Sequence, residues 1–386
     1  MRKNFFSMAV LLSAMLFTAC NDSDNGSTSY SVPVSNGVYV LCSGNVWGGI
    51  NGDLTYIDYA TGNSANGQFK ARNGRELGGT PNDIFVYGDK MYIAVTDENT
   101  LEVVDAKTLA SIKQIKLTDV MGESGKSPRH LTAADGVVYV STYGGCSNTF
   151  DPDTWAVSTE GNGYVAAIDT LTFSLKDTYT VGSYPEGIDV VGNTLIVANS
   201  DYSAQTKACV SVINLQTKER RDIKDSKITN PVDVAVAGSD IYVMDQGNYA
   251  DVKGGMRKID NSNNVTTLFD CTNATFIGSN IFAADCPYGA NVKNFIVYDI
   301  ETRTKREIAS GVDKFFYPSV VTVDPVTGNI FVASYNEKAD TPDAPDYSAN
   351  GYVVEYDFNG NKLQEYPCGV GPVAIVFRIA YKNVVY

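Results

Sequence analysis

Apolar and polar positions alternate in short runs along nearly the whole chain, and the runs come in pairs around a turn. The clearest pair is PVDVAVAGSDIYVMDQ, Pro231 to Gln246: a Pro, an apolar run, a Gly-containing turn and a second apolar run. The pattern returns as PNDIFVYGDKMYIAVT from Pro81, PRHLTAADGVVYVSTY from Pro128, PEGIDVVGNTLIVANS from Pro185, and PSVVTVDPVTGNIFVASY from Pro318, where the turn is two residues longer. A copy from Cys271, CTNATFIGSNIFAADC, has Cys in place of Pro, and a last one begins at Pro372 as PVAIVFRI. Runs of Val, Ile, Tyr and Phe about a short Gly, Asn or Asp turn predict β-hairpins whose turns enter positive φ. Two more strand-like runs follow each hairpin, as GGMRKIDN and NNVTTLFD follow Met244, so each unit reads as four antiparallel strands.

Units of four short strands recurring every 40 to 57 residues or so predict an all-β fold, a β-propeller. Six units begin between Pro81 and Pro318, and the seventh is divided between the chain ends. Pro372 onward supplies its innermost strand, while GVYVLCSG, GDLTYIDY and NSANGQF supply the outer ones. The reading is a seven-bladed β-propeller with four antiparallel strands per blade, its last blade shared between the N- and C-terminal ends. The final NVVY, from Asn383, also reads as a strand and competes with GVYVLCSG for one position.

The start of the chain departs from this pattern. Arg2 and Lys3 precede the apolar run MAVLLSAMLF, which ends in LFTAC at Cys20, the layout of a signal peptide rather than a spanning helix. Residues 25–35 are rich in Ser, Thr and Asn and predict a flexible tether. The expected organisation is therefore a signal peptide over 1–19, a flexible tether over 20–36, to which the resemblance described below adds a lipid, and a single propeller over 37–386.

Charge narrows the partners. A formal net charge of −14 repels phosphates, so nucleic acid is not expected as a partner. Six cysteines follow Cys20 in a chain read as exported, where disulfides persist. With Gly278 and Ser279 as a two-residue turn, counting outward places Cys271 opposite Cys286, within disulfide range. Cys42 and Cys368 both fall at the divided blade and could bridge it. Cys146 and Cys209 lie in neighbouring units and pair only if their loops touch.

In such a fold the innermost strand starts on the face where the second strand hands over to the third. Those connections are long and unlike one another, and they place Trp47, Tyr143, Tyr202, Tyr249, Tyr288 and Tyr335 at nearly corresponding positions. Trp155 and Tyr347 lie further along the two longest loops. Flat aromatics with few rotors, interspersed with Asn199, Asn248 and Asn336, suit a recognition surface, although each could equally cover a blade edge. The starts of the innermost strands add Asn82, Arg129 and Asp233 around the mouth, with Glu186 and Asn273. His130, the single histidine, sits among them and reads as a structural hydrogen-bonding residue.

Catalytic signatures do not emerge: there is no nucleophile elbow, H-E-x-x-H, Walker or dinucleotide loop, and no second His for a His-based metal site. An enzyme, a catalytic residue, a metal and a cofactor are therefore not expected. Asp151, Asp153 and the DTPDAPD run could bind Ca²⁺ through oxygens, but their spacing is not that of an EF-hand.

Several features together carry a family resemblance. LFTAC resembles a bacterial lipobox, implying Cys20 as the lipid anchor, and Asn21 to Asp24 look like the acidic export tags of Bacteroidetes surface lipoproteins. Asp169-Thr170-Leu171 looks like their O-glycosylation site. With the Pro-x-Asp type hairpin repeat and the Tyr- and Asn-rich loops, the chain resembles the YncE-like seven-bladed propeller lipoproteins of Bacteroidetes, most closely the BtuG-type group. That resemblance implies a surface-exposed outer-membrane lipoprotein that captures cobalamin or a related corrinoid and passes it to a TonB-dependent transporter, touching the membrane only through its anchor. A glycan- or protein-binding adhesion or scaffold propeller is the alternative, and a propeller lyase a third.

Overall fold

The hairpin repeats form as their alternation dictates. In the computed structural model, residues 29–286, 294–308, 317–341 and 344–385 are described. They hold seven four-stranded antiparallel sheets and one two-stranded ribbon. Sheets 2 to 7 begin with Pro81–Tyr87, Pro128–Ala134, Pro185–Val191, Pro231–Ala237, Asn273–Ile277 and Pro318–Val323, and each continues outward through three more strands. Sheet 1 joins the two ends of the described chain, with Pro372–Val385 at its inner edge followed by Ser29–Cys42, Asp53–Asp58 and Asn63–Ala65. The molecule is all-β and propeller-like.

Successive side chains of a strand point to opposite faces, so the near-continuous apolar runs of the middle strands, such as Lys90–Val95 and Val137–Thr142, give each sheet two apolar faces, and consecutive sheets bury them against each other. Leu41 and Leu54 of sheet 1 pack with Ile84 and Met91 of sheet 2, and comparable clusters join each later pair. Phe331 and Val353 of sheet 7 pack in turn with Val38 and Val40 of sheet 1. Fully buried side chains such as Phe331 and Met91 contribute about 1.5–3 kcal/mol each.

Sheet 1 changes two sequence expectations. The tether was placed over 20–36, yet Ser29–Cys42 is one strand, paired with the C-terminal strand from Ser29↔Val385 to Cys42↔Pro372. The reason lies in the residues: Ser-Tyr-Ser-Val-Pro-Val-Ser from Ser29 alternates with period two, which a low apolar content disguises. Nor does the C-terminal run compete with GVYVLCSG, because it continues the innermost strand and pairs with the start of the first. Cys20 and the signal peptide lie outside the described residues.

The disulfide expectations are also corrected. Cys42, Cys146, Cys209, Cys271, Cys286 and Cys368 are all thiols, and no disulfide joins any two described cysteines. The register of sheet 6 is the one counted from sequence, Ile277↔Asn280 to Asn273↔Ala284, but pairing stops there. Cys271 instead donates its backbone N–H to Gly254 O and its thiol to Met244 Sδ at 3.3 Å, in the core between sheets 5 and 6. Cys286 belongs to the core between sheets 6 and 7, so the two sulfurs face different sides of one sheet. Cys42 and Cys368 do meet in one buried cluster, and their mutual contact together with burial pushes the Cys368 thiol well up. The Cys146 thiol accepts from Tyr184 N at 3.3 Å, while Cys209 lies under Asn199.

Candidate functional site: the polar mouth of the inner cavity

The first strands of all seven sheets line one cavity of about 1040 Å³. Their starts are level with each other because side chains lace neighbouring strands together. Asn82 Nδ2 donates to Arg129 O at 3.1 Å, Asn273 Nδ2 to Ser319 O at 2.7 Å, and Ser319 Oγ to Pro372 O at 2.6 Å. Asp83 accepts from Leu131 N and Asp189 from Val236 N, each one sheet on. In sheets 2, 3, 4, 5 and 7 the register shifts just after the opening Pro. Such a bulge re-aims side chains, here at the residues that line the mouth.

One charged cluster dominates that mouth. Arg129 binds Glu186 through Nε at 2.9 Å and Nη2 at 3.3 Å, and its guanidinium lies 4.9 Å from the centre of the Tyr143 ring. The Tyr143 hydroxyl donates to the same Glu186 carboxylate. His130 stands between Glu186, 3.3 Å away, and Asp83, 3.7 Å away. Burial alone would push Glu186 up, but the Arg129 charge and the His130 contact bring it down to about 2. His130 is raised despite its burial, through Glu186 and Asp83. Asp233 has no comparable partner: burial pushes it up to about 6, with His130 and the Val234 N–H opposing only in part.

The aromatic residues divide by exposure. Trp47 is 97% exposed on the turn Val46–Gly48, which Asn45 fixes by accepting from Gly48 N and donating to Tyr347 O at 3.0 Å. Trp155 is 77% exposed and packs edge-on to Phe150 beside the ribbon of Ser147–Phe150 and Val157–Glu160. Tyr249 is 76% exposed, its hydroxyl donating to Gln246 Oε1 at 3.0 Å. Buried Tyr184, half-buried Tyr143 and exposed Tyr202 form a trio with centroids 4.9 to 6.4 Å apart, and Tyr335 packs between Tyr317 and Tyr347. Of these, Tyr143, Tyr202 and Tyr249 line the cavity with Asn82, Arg129 and Asp233. Tyr288 lies outside the described residues.

Other expected site residues shape loops instead. Asn199 is wholly buried, donating to Val197 O, Cys209 O and Ser211 Oγ, and is not among the residues that line the cavity, so it supports the sheet. Asn248 accepts from Ala250 N and Val252 N and donates to Asp251, folding its own loop. Asn336 donates to Asn350 O at 2.6 Å across the last long loop. Thr170 is buried with its hydroxyl on Gly136 O, so it is not presented for glycosylation. Asp151 accepts from Asp153 N and Thr154 N in an ordinary Asx turn, and no cluster of metal-ligating residues occurs among the described residues. The sequence reading passed over Asn230 and Gln246. Asn230 occupies the slot before the opening Pro, as Tyr184 and Tyr317 do, and that shared position was the available signal.

Solved structures share this fold at low identity. The hypothetical selenium-binding protein of Sulfolobus tokodaii aligns at TM-score 0.62 and 10% identity, over 90% of this chain and 94% of its own. The hydrazine synthase of Kuenenia stuttgartiensis aligns at 0.53 and 13%, over 79% and 95%. The computationally designed Ika8 protein aligns at 0.51 and 12%, over 88% and 87%. No curated protein matches the sequence. A family match covers residues 36–371, nearly the whole described chain, and by it the protein belongs to the family described as Domain of unknown function (DUF5074).

Proposed function

We propose that the seven sheets close into a seven-bladed propeller, a YncE-like lipoprotein of BtuG type, held at the outer-membrane surface through Cys20. On this reading its loop-rich face captures a bulky nutrient, cobalamin first, and passes it to a TonB-dependent transporter. The observation that carries the reading is the set of aromatics on the loops: Tyr249 is exposed over a cavity of about 1040 Å³ that Tyr143 and Tyr202 also line, and Trp47 and Trp155 are exposed on loops of sheets 1 and 3. A corrin is a broad disc with an apolar plane and an amide fringe. Flat rings beside polar acceptors suit both parts.

The test is a titration of the soluble chain from Ser27 onward with cyanocobalamin, followed by heat and visible absorbance. Saturable binding at micromolar ligand supports capture, and its absence overturns the cobalamin assignment. A second reading, a glycan-binding surface propeller, draws on Trp47 and Trp155, which stand outside the cavity lining where a polymer could lie across them. Saturable binding of a soluble polysaccharide without cobalamin binding would establish it.

A further inference from the structure

We propose that the ledge between Gly187 and Asp233, just inside the mouth, is a subsite for a nitrogen-borne hydrogen-bond donor, a primary amide or an ammonium group, read by Asp233 and Asn230. The proposal refines the capture reading by naming the chemical group that enters the cavity, and its test does not require that the ligand be cobalamin.

Asp233 is built into this position. A Cβ on Gly187, one sheet back, would lie 2.3 Å from Asp233 Oδ1, 2.6 Å from its Cα and 2.9 Å from Val232 O, so the glycine lets the two inner strands approach this closely and leaves the carboxylate its room. Oδ1 accepts from Val234 N at 2.9 Å, and no Lys, Arg or His among the described residues comes within ion-pair distance. Glu186 differs, being held by Arg129, His130 and Tyr143 at once. Asn230 supplies an independent indication. It is 2% exposed and lines the same cavity, its amide donates to the Tyr249 hydroxyl at 3.3 Å, and its Oδ1 has no partner. A buried carbonyl left without a donor is costly, and a ligand N–H is the kind of group that would relieve it. An anion would fare badly here. The Arg129 charge is already committed, and Asp83, Glu186 and Asp233 all line the cavity.

His130 is the only histidine of the chain, so its ring gives one isolated NMR signal inside the cavity. The soluble chain is titrated to high millimolar concentration with ethanolamine, acetamide and acetate in separate experiments. A saturable shift of the His130 signal with ethanolamine or acetamide, but not acetate, is expected, and whichever responds identifies the ammonium or the amide as the preferred donor. Asp233→Asn and Gly187→Ala, each confirmed as folded by its melting curve, should weaken that response at least tenfold. Acetate acting as well as the donors, no response to either donor, or an unchanged response in Asp233→Asn would each overturn the proposal. Cyanocobalamin provides a second arm. If it binds, hydrolysis of one of its side-chain amides to a carboxylate should weaken binding at least tenfold, and equal binding by every monocarboxylate would also overturn the subsite. If it fails to bind while a donor probe does, the cobalamin reading falls and the subsite stands.

Discussion

The wall of the inner cavity has a charged half and a neutral half. Sheets 2 to 5 contribute Asp83, Arg129, His130, Glu186 and Asp233 near their strand starts, while sheets 6, 7 and 1 contribute Ala274, Ser319, Val320, Val373 and Ala374 at comparable places. Both halves are laced sheet to sheet by side-chain hydrogen bonds, as Asn82 and Asn273 show. The neutral half demonstrates that the fold needs no charge at these positions. Burying charge is expensive, so its concentration in one half points to a use beyond packing.

The largest expected effect comes from breaking the neutral half at its seam. Truncation after Gly371 removes the inner strand of sheet 1 and leaves Ser29–Cys42 paired only with Asp53–Asp58 on its outer side. We expect loss of cooperative unfolding, with aggregation through the exposed edges, as seen by calorimetry and light scattering. A truncated protein that melts like the intact one would show that the seam is dispensable. Next is the contrast of scaffold with rim. Tyr242→Ala removes a ring that is 2% exposed and should cost about 3–5 kcal/mol of stability in urea, with ligand affinity unchanged.

Acid should then discriminate the halves. The Glu186 pKa falls from 4.5 unfolded to about 2 folded, so its contribution is complete above pH 4.5 and is lost as pH falls towards 2. At about 1.4 kcal/mol per unit this amounts to about 3 kcal/mol, and Glu186→Gln should abolish that acid dependence. Asp233 has the opposite sign. Its pKa rises from 3.8 to about 6, so the ionised carboxylate opposes folding above pH 6 and the penalty disappears towards pH 4. Asp233→Asn should therefore stabilise the protein by about 1–3 kcal/mol at pH 7.5 and hardly at all at pH 4. A stability gain that does not change with pH would sever the link to titration. The smallest effect on the fold is expected at the rim: Trp47→Ala, Trp155→Ala or Tyr249→Ala should each weaken ligand binding by about 1–3 kcal/mol while leaving the melting temperature nearly unchanged.

Much of the fold was legible because hairpin alternation and turn chemistry are local. The register of sheet 6 could be counted from Gly278 and Ser279 alone. What failed was non-local. Cys271 and Cys286 sit where counting put them, yet pairing ends at Asn273, and the sulfurs turn into cores on opposite sides of the sheet. Asn199 reads as the first residue of a long loop but ends the strand Thr194–Asn199, and like Thr142, Asp245 and Ser334 at the same place in other units it is wholly buried, its amide held by three hydrogen-bond acceptors. The rim aromatics were visible as a repeated position. The Arg129, Glu186 and Tyr143 cluster was not, because Glu186 comes from the unit after that of Arg129 and Tyr143 and only the arrangement of the sheets brings them together.

The long pairing of Ser29–Cys42 with Pro372–Val385 also gives the molecule a mechanical direction. A pull on Ser29 directed along the strand axis loads the hydrogen bonds between the two strands together, in shear. A sideways pull that draws Ser29 away from Val385 loads them one at a time, as a zipper opens. The same ribbon is therefore stiff towards tension along its strands and soft towards peeling of its two ends.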